Sequence, residues 1–445
     1  MKLWEKGVAT HQFVETFTVG KDRELDILLA KHDVLGTLAH ITMLEDIGLL
    51  QKNELPVLKK ELIAIYASIV HGEFQISPEM EDVHSQIEWL LTQKLGEMGK
   101  KVHSGRSRND QVLLDVKLFT RQALKEVVET TKELFDLLLV LSEKYKDVLL
   151  AGYTHFQVAM PSSFGLWFGA YAESLTDDLL LLQSVYEIAN QNPLGSAAGY
   201  GSSFPLNRQL TTDLLGFKRL NYNVVYAQMN RGKLERLASV ALANIATTVG
   251  KMAMDICLYM SQNFDFVSFP DEFTTGSSIM PHKKNPDVFE LVRGKCNQLQ
   301  ALPNEIALLT ANLPSGYHRD WQLLKEHFLP AFATLKDCLT MMQLSLQQIR
   351  VKENILEDEK YKYIFSVDYL NQKVLAGVPF RDAYREVAAE IAAGTFAPTT
   401  AVAHTHEGSI GNLCNEAIAA KMQMILQRFD FEAVEKAERA LLEEI

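Results

Sequence analysis

From Arg106 to Ala151 the chain runs without a glycine or a proline. Val112, Val116, Phe119, Ala123, Val127, Leu134, Leu138 and Leu141 recur along it at helical spacing, one apolar stripe on an amphipathic helix. At about 1.5 Å of rise per residue such a helix far exceeds the average length. It implies a rod inside a large bundle. Similar patterns follow. Gly232–Asn263 carries Leu234, Leu237, Ala241, Ile245, Val249, Met252 and Ile256 on one stripe. Asp320–Arg350 forms another rod, with Pro330 an expected kink. Helices are also expected over Pro161–Asn190, Pro286–Leu302 and 304–312.

Shorter helices fit Leu25–Leu50, Leu55–His71 and Val83–Leu95, with residues 1–20 irregular. Beyond Val351 the helical patterns shorten, a Gly-Thr-Phe-Ala-Pro break falls at 394–398, and 404–412 is polar. No stretch shows convincing strand alternation or a βαβ rhythm. The expected fold is all-α: an N-terminal helical domain at 1–105, a central bundle of very long helices at 106–350, and a small C-terminal helical domain at 351–445.

Composition narrows the partners. The net charge of −12 argues against nucleic acid or anionic membranes. An anionic substrate would therefore need positive charge concentrated in a site. Cys257, Cys296, Cys338 and Cys414 lie far apart with no CxxC pair, as in a reducing compartment. The N-terminus lacks an apolar signal core, and no apolar run reaches the ~18 residues of a membrane span. A soluble cytoplasmic protein is expected.

Four polar islands interrupt the rods. HSGRSRNDQ at 103–111 places Ser107 and Asp110 at capping-box spacing and adds Arg106, Arg108 and Asn109, whose guanidinium forks suit carboxylates. Gly152-Tyr153-Thr154-His155 offers a side chain that trades protons near neutrality. YHRDWQLLK at 317–325 sets Gln322 and Lys325 on one helix face after Tyr317. GSSIMPHKKNP at 276–286 reads as a loop, with Asn285 as cap and Pro286 as first residue of a helix bearing Glu290. Each island alone is also what a solvated loop, a cap or an amphipathic helix start would show. The glycines of 195–201 lack the GK[ST] ending of a phosphate loop. HExxH, EF-hand and GxSxG patterns are absent, so the residues point to neither metal nor redox cofactor.

GSSIMPHKKNP resembles the GSSxMPxKxNP signature of the fumarase/aspartase superfamily, whose members release fumarate by β-elimination. HSGRSRNDQ, GYTHFQVAMP, YHRDWQLLKE and AGVPFRDAY resemble the argininosuccinate lyase family in particular, and the matches span about Asp26 to Tyr384. The resemblance implies a homotetramer, active sites where three subunits meet, and reversible cleavage of argininosuccinate to arginine and fumarate. It implies Ser277 as general base, Lys283 and Asn285 on the carboxylate beside the reacting carbon, and a His155–Glu290 pair assisting the leaving group. It implies substrate binding by Ser107, Arg108, Asn109, Thr154, Tyr317, Gln322 and Lys325, with Asp26 near the arginine end and His84 lining the site. Gly276 is the expected hinge of a closing loop. Three positions depart from the family: Met160 and His282 stand where glutamine is usual, and Asp22 where a serine is usual. A lyase for another succinyl adduct and a non-catalytic structural protein are the alternatives.

Overall fold

The computed structural model describes residues 11–400 and 402–443. The reading of residues 1–10 lies outside the described residues; Gln12–Val19 is a helix, not irregular. Five long helices form the bundle: α1 (Arg108–Lys144), α2 (Phe164–Ala189), α3 (Lys233–Tyr259), α4 (Asp287–Leu309) and α5 (Leu324–Leu346). Their stripes meet in one core, where Leu124, Phe168, Ile245, Phe289 and Leu335 are fully buried. Each such side chain contributes roughly 1.5–3 kcal/mol. Helices Ala30–Asp46, Leu55–Val70 and Val83–Leu95 form a second core that also uses Leu114 and Leu118 of α1 and Leu441 of the last helix, Phe431–Leu442. Leu370, Ala383 and Val387 make a third, small cluster. The four cysteines are free.

Several boundaries differ from expectation. The Gly/Pro-free run does not stay helical to Ala151. α1 ends at Lys144, and a hairpin follows, β1 (Leu149–Thr154) antiparallel to β2 (Gln157–Ser163). Pro161 lies in β2, and α2 starts only at Phe164, where Ser163 Oγ caps it by accepting from Leu166 N at 3.0 Å. Leu25–Leu50 is not one helix. It breaks at the turn Asp26–Leu28, with a 78° bend between Thr16–Leu28 and Ala30–Asp46. That bend turns Asp26 inward. Pro286, not Asn285, is the N-cap of α4, without a side-chain cap bond. α5 continues through Pro330. By length and composition α3 is apolar enough to cross a membrane, against expectation; 61 % of its most apolar window is buried in the bundle.

The helices alternate in direction, which gives the bundle two different ends. One end gathers the starts of α1, α3 and α5. There Asp110 Oδ2 accepts from Gly195 N and Ala197 N, and Arg231 Nη2 donates to the Trp321 carbonyl. The other end gathers the hairpin and the start of α4. There the Tyr153 ring lies tilted against Phe264 and its hydroxyl bonds Tyr361, and Val267–Ser268 pairs with Arg350–Val351.

Candidate active site

At the first end a cavity of about 230 Å³ opens among Asp22, Asp26, Glu81, Asp82, His84, Arg108, Asn109, Val112, Arg231, Tyr317, Arg319, Gln322 and Lys325. Ser107 places two of these. Its Oγ accepts from Asn109 N at 3.2 Å, and its N–H donates to Asp110 Oδ1 at 2.9 Å, a complete capping box. The rod therefore begins with Arg108 and Asn109 facing the cavity. Asp82 caps Val83–Leu95 through Ser85 N at 2.7 Å, and its other oxygen accepts from Arg108 Nη1 at 3.1 Å. Gln322 donates to the carbonyls of Thr18 and Val19, which binds the N-terminal helix to the cavity rim.

Lys325 is the centre of charge. It is 5 % exposed, and its Nζ lies 2.6 Å from Asp22 Oδ1 and 2.7 Å from Asp26 Oδ1. Burial opposes its charge, but Asp26 and Asp22 outweigh burial and raise its pKa. Asp26 Oδ2 also accepts from Val83 N at 3.4 Å. Burial pushes the Asp22 carboxyl up to about 6 despite the lysine. Arg319 Nη2 donates to Glu81 Oε1 at 2.8 Å. The cavity thus presents interleaved cations and carboxylates, suited to a small molecule that bears both signs of charge.

The other predicted residues lie at the opposite end. Thr154 and His155 sit at the hairpin tip, exposed, with His155 and Phe156 in the left-handed region at φ 53° and 57°. The loop 276–286 is closed at its base by a bridge between Thr275 and Asn285. The Asn285 amide turns back to the Gly276 carbonyl at 3.4 Å instead of capping α4. Ser277 Oγ accepts from Met280 N at 3.1 Å and Ile279 N at 3.4 Å. Among the described residues, the exposed Lys283 ammonium makes no ion pair. Glu290 is exposed, not on the inner face, and lies 3.9 Å from Arg293; no bond joins it to His155 within the chain. Gly276 has an ordinary φ and open space where a Cβ would stand, so this conformation places no demand for glycine there.

Seven predicted residues therefore meet in one cavity: Asp26, His84, Arg108, Asn109, Tyr317, Gln322 and Lys325. Ser277, Lys283, Asn285, Glu290, Thr154 and His155 do not join them within one chain. The 23 residues of α4 alone span about 35 Å. Sequence reasoning missed Asp22, Glu81, Asp82, Val112, Arg231 and Arg319 as lining residues. Arg319 lies within YHRDWQLLK and Asp82 just before the helix Val83–Leu95, so both could have been found. Arg231, 4 % exposed with its Nε 3.5 Å from Glu235 Oε1 and its Nη1 without a hydrogen-bond partner, had no signal in the plain stretch before α3.

The fold is that of helical-bundle lyases. A substituted EDDS lyase with bound fumarate superposes with a TM-score of 0.77 at 20 % identity, covering 98 % of this chain and 95 % of that one. The family described as lyase matches residues 6–301. Argininosuccinate lyase of Parabacteroides distasonis is 64 % identical over 441 residues, 99 % of each chain. That of Bacteroides thetaiotaomicron is 62 % identical over 441 residues, again 99 % of each. The chain belongs to the argininosuccinate lyase family.

Proposed function

We propose that this chain catalyses the reversible β-elimination of argininosuccinate to arginine and fumarate, the last step of arginine biosynthesis, as a cytoplasmic homotetramer whose sites draw on several subunits. The observation that carries the reading is the mixed-charge cavity around Lys325. Argininosuccinate combines a substituted guanidinium and an amine with three carboxylates. Asp22, Asp26, Glu81 and Asp82 suit the cationic groups, and Arg108, Arg231, Arg319 and Lys325 suit the anionic ones.

The chemistry needs a base and a cation at the other end of the adduct. Removing a proton beside a carboxylate doubles the charge on that carboxylate, so the dianion needs fixed donors. Ser277 takes that proton in this reading. Two backbone N–H groups already point at its Oγ, and hydrogen bonds to a charged form favour it. Lys283, Asn285 and the start of α4 receive the carboxylate. His155, with Glu290, returns a proton to the departing nitrogen. Sharing between subunits is supported by the separation of the two residue sets and by Ile279 and Phe156, exposed at 82 % and 81 % on the loop and the hairpin tip.

Purified protein given argininosuccinate alone should release fumarate, read by its ultraviolet absorbance. Ser277→Ala should lower turnover by at least about 100-fold. Turnover on adenylosuccinate but not argininosuccinate would refute the substrate, and full activity in Ser277→Ala would refute the base.

A further inference from the structure

Beneath the cavity floor three enclosed groups meet. His84 from Val83–Leu95, Asp33 from Ala30–Asp46 and Asp115 from α1 each bring one polar atom within 4.8 Å of the others. Asp33 is 1 % exposed, Asp115 0 % and His84 6 %. Their contacts are unequal. Asp33 Oδ1 accepts from Gln111 Nε2 at 2.6 Å and lies 2.8 Å from His84 Nδ1. Asp115 Oδ2 stands 3.5 Å from the same nitrogen, and neither Asp115 oxygen nor Asp33 Oδ2 has a hydrogen-bond partner.

Two carboxyls this close and this dry do not both ionise. The one that receives donors keeps its charge. The orphan takes the proton and can give it to the other orphan atom, Asp33 Oδ2, so one hydrogen bond satisfies both. A carboxylate at Asp33 accepts, so His84 Nδ1 carries a proton. Nε2 is left as the ring nitrogen available to the cavity that His84 lines.

We propose that Asp115 and Asp33 share one proton, and that the anion so held keeps His84 an imidazolium with its Nε2–H turned to the substrate cavity as a donor for a substrate carboxylate. The inference rests on the cavity being the substrate site. Asp33 and Asp115 are positioning residues, acting through His84. The electrostatics run the same way. Burial, then Asp33, pushes the Asp115 carboxyl well above the usual range. Burial opposes the charges on His84 and Asp33, yet their attraction outweighs it, raising the first and lowering the second. Asp82 and Asp26 also face the ring and favour its charge. His103 opposes it, while Arg106 and Arg108 act on the partner carboxylates Asp33 and Asp82.

The test is the pH profile of kcat/KM for argininosuccinate cleavage, with melting curves for each protein. Asp33→Asn keeps the shape but removes the anion, so the alkaline limb should move to lower pH by at least about one unit. Asp115→Asn imitates the protonated acid and should leave that limb in place. His84→Gln cannot titrate, so its share of the limb should vanish and leave only that of His155, the proposed acid; this variant decides the matter if Asp33→Asn fails to fold. The proposal is overturned if Asp115→Asn shifts the limb as far as Asp33→Asn, if the limb in His84→Gln coincides with that of the wild type, or if the purified protein holds a stoichiometric divalent cation, which would occupy the imidazole. A wild-type protein with no turnover would instead refute the function, a separate outcome.

Discussion

Asp22 shows how one side chain can differ from its family and still join the site. It stands where a serine is usual, yet it lines the cavity and pairs with Lys325. Its folded pKa, about 6, exceeds the ordinary 3.8 because burial outweighs the lysine. A raised carboxyl pKa means that the folded state holds the proton over a wider range. Asp22 therefore contributes less stability as pH rises from about 4 to 6, a loss of up to about 3 kcal/mol. In Asp22→Asn that loss is gone, so its melting temperature relative to wild type should climb across this window. A difference flat from pH 4 to 6 would contradict the raised pKa. Residue types at the site were mostly legible: Arg108, Asn109, Gln322 and Lys325 sit in polar islands that a plain rod does not need. Arg231 was not, because a buried cation between two helices looks in sequence like any surface arginine.

Among the elements missed, the hairpin at 149–163 is the one that carries predicted site residues. Its first strand follows a helix with no glycine or proline between them, so local chemistry gave no stop. Its pairing is decided by Ser163 capping α2 and by a shift of register between Ala151 and Tyr153. Gly152 sits at that shift, and a Cβ there would meet the Met160 carbonyl at 2.8 Å. Backbone cannot yield as a flexible side chain can. Gly152→Ala should therefore displace the hairpin tip that carries Thr154 and His155. Turnover should fall by about 10-fold or more, since a small misplacement of the proposed proton-transfer group is costly. Arginine binding measured by calorimetry should hold. Wild-type turnover in this variant would mean that the tip does not take part. The helix starts fared better, because caps are local: the Ser107 box was readable from S-x-x-D alone, whereas Asn285 was drawn off its expected cap by the loop it closes.

The whole molecule separates the cavity from the proposed base. The cavity residues lie at one end of the bundle, and Ser277 and His155 lie at the other. If sites combine the two ends from different chains, two defective proteins can repair each other. Asn109→Ala removes a cavity group whose side chain bonds nothing else among the described residues, and Ser277→Ala removes the proposed base. Co-expressed in equal amounts, they should form mixed oligomers with about a quarter of wild-type turnover, the share of sites that receive both intact halves at random. Activity no higher than the mean of the two parents would rule out sharing.

By itself the sequence determined the long helices and their apolar stripes, the capping box, the polar islands and the lyase signature. These depend on neighbours within a few residues, which the order of residues states directly. The tertiary structure alone decided that Asp26 turns inward at a bend, that Lys325 is held between two aspartates, that Asp33 and Asp115 meet under His84, and that the signature loop lies far from the cavity. Each of these follows from how helices alternate in direction and which faces they press together. That depends on burying apolar area across the whole chain, and no local stretch encodes it.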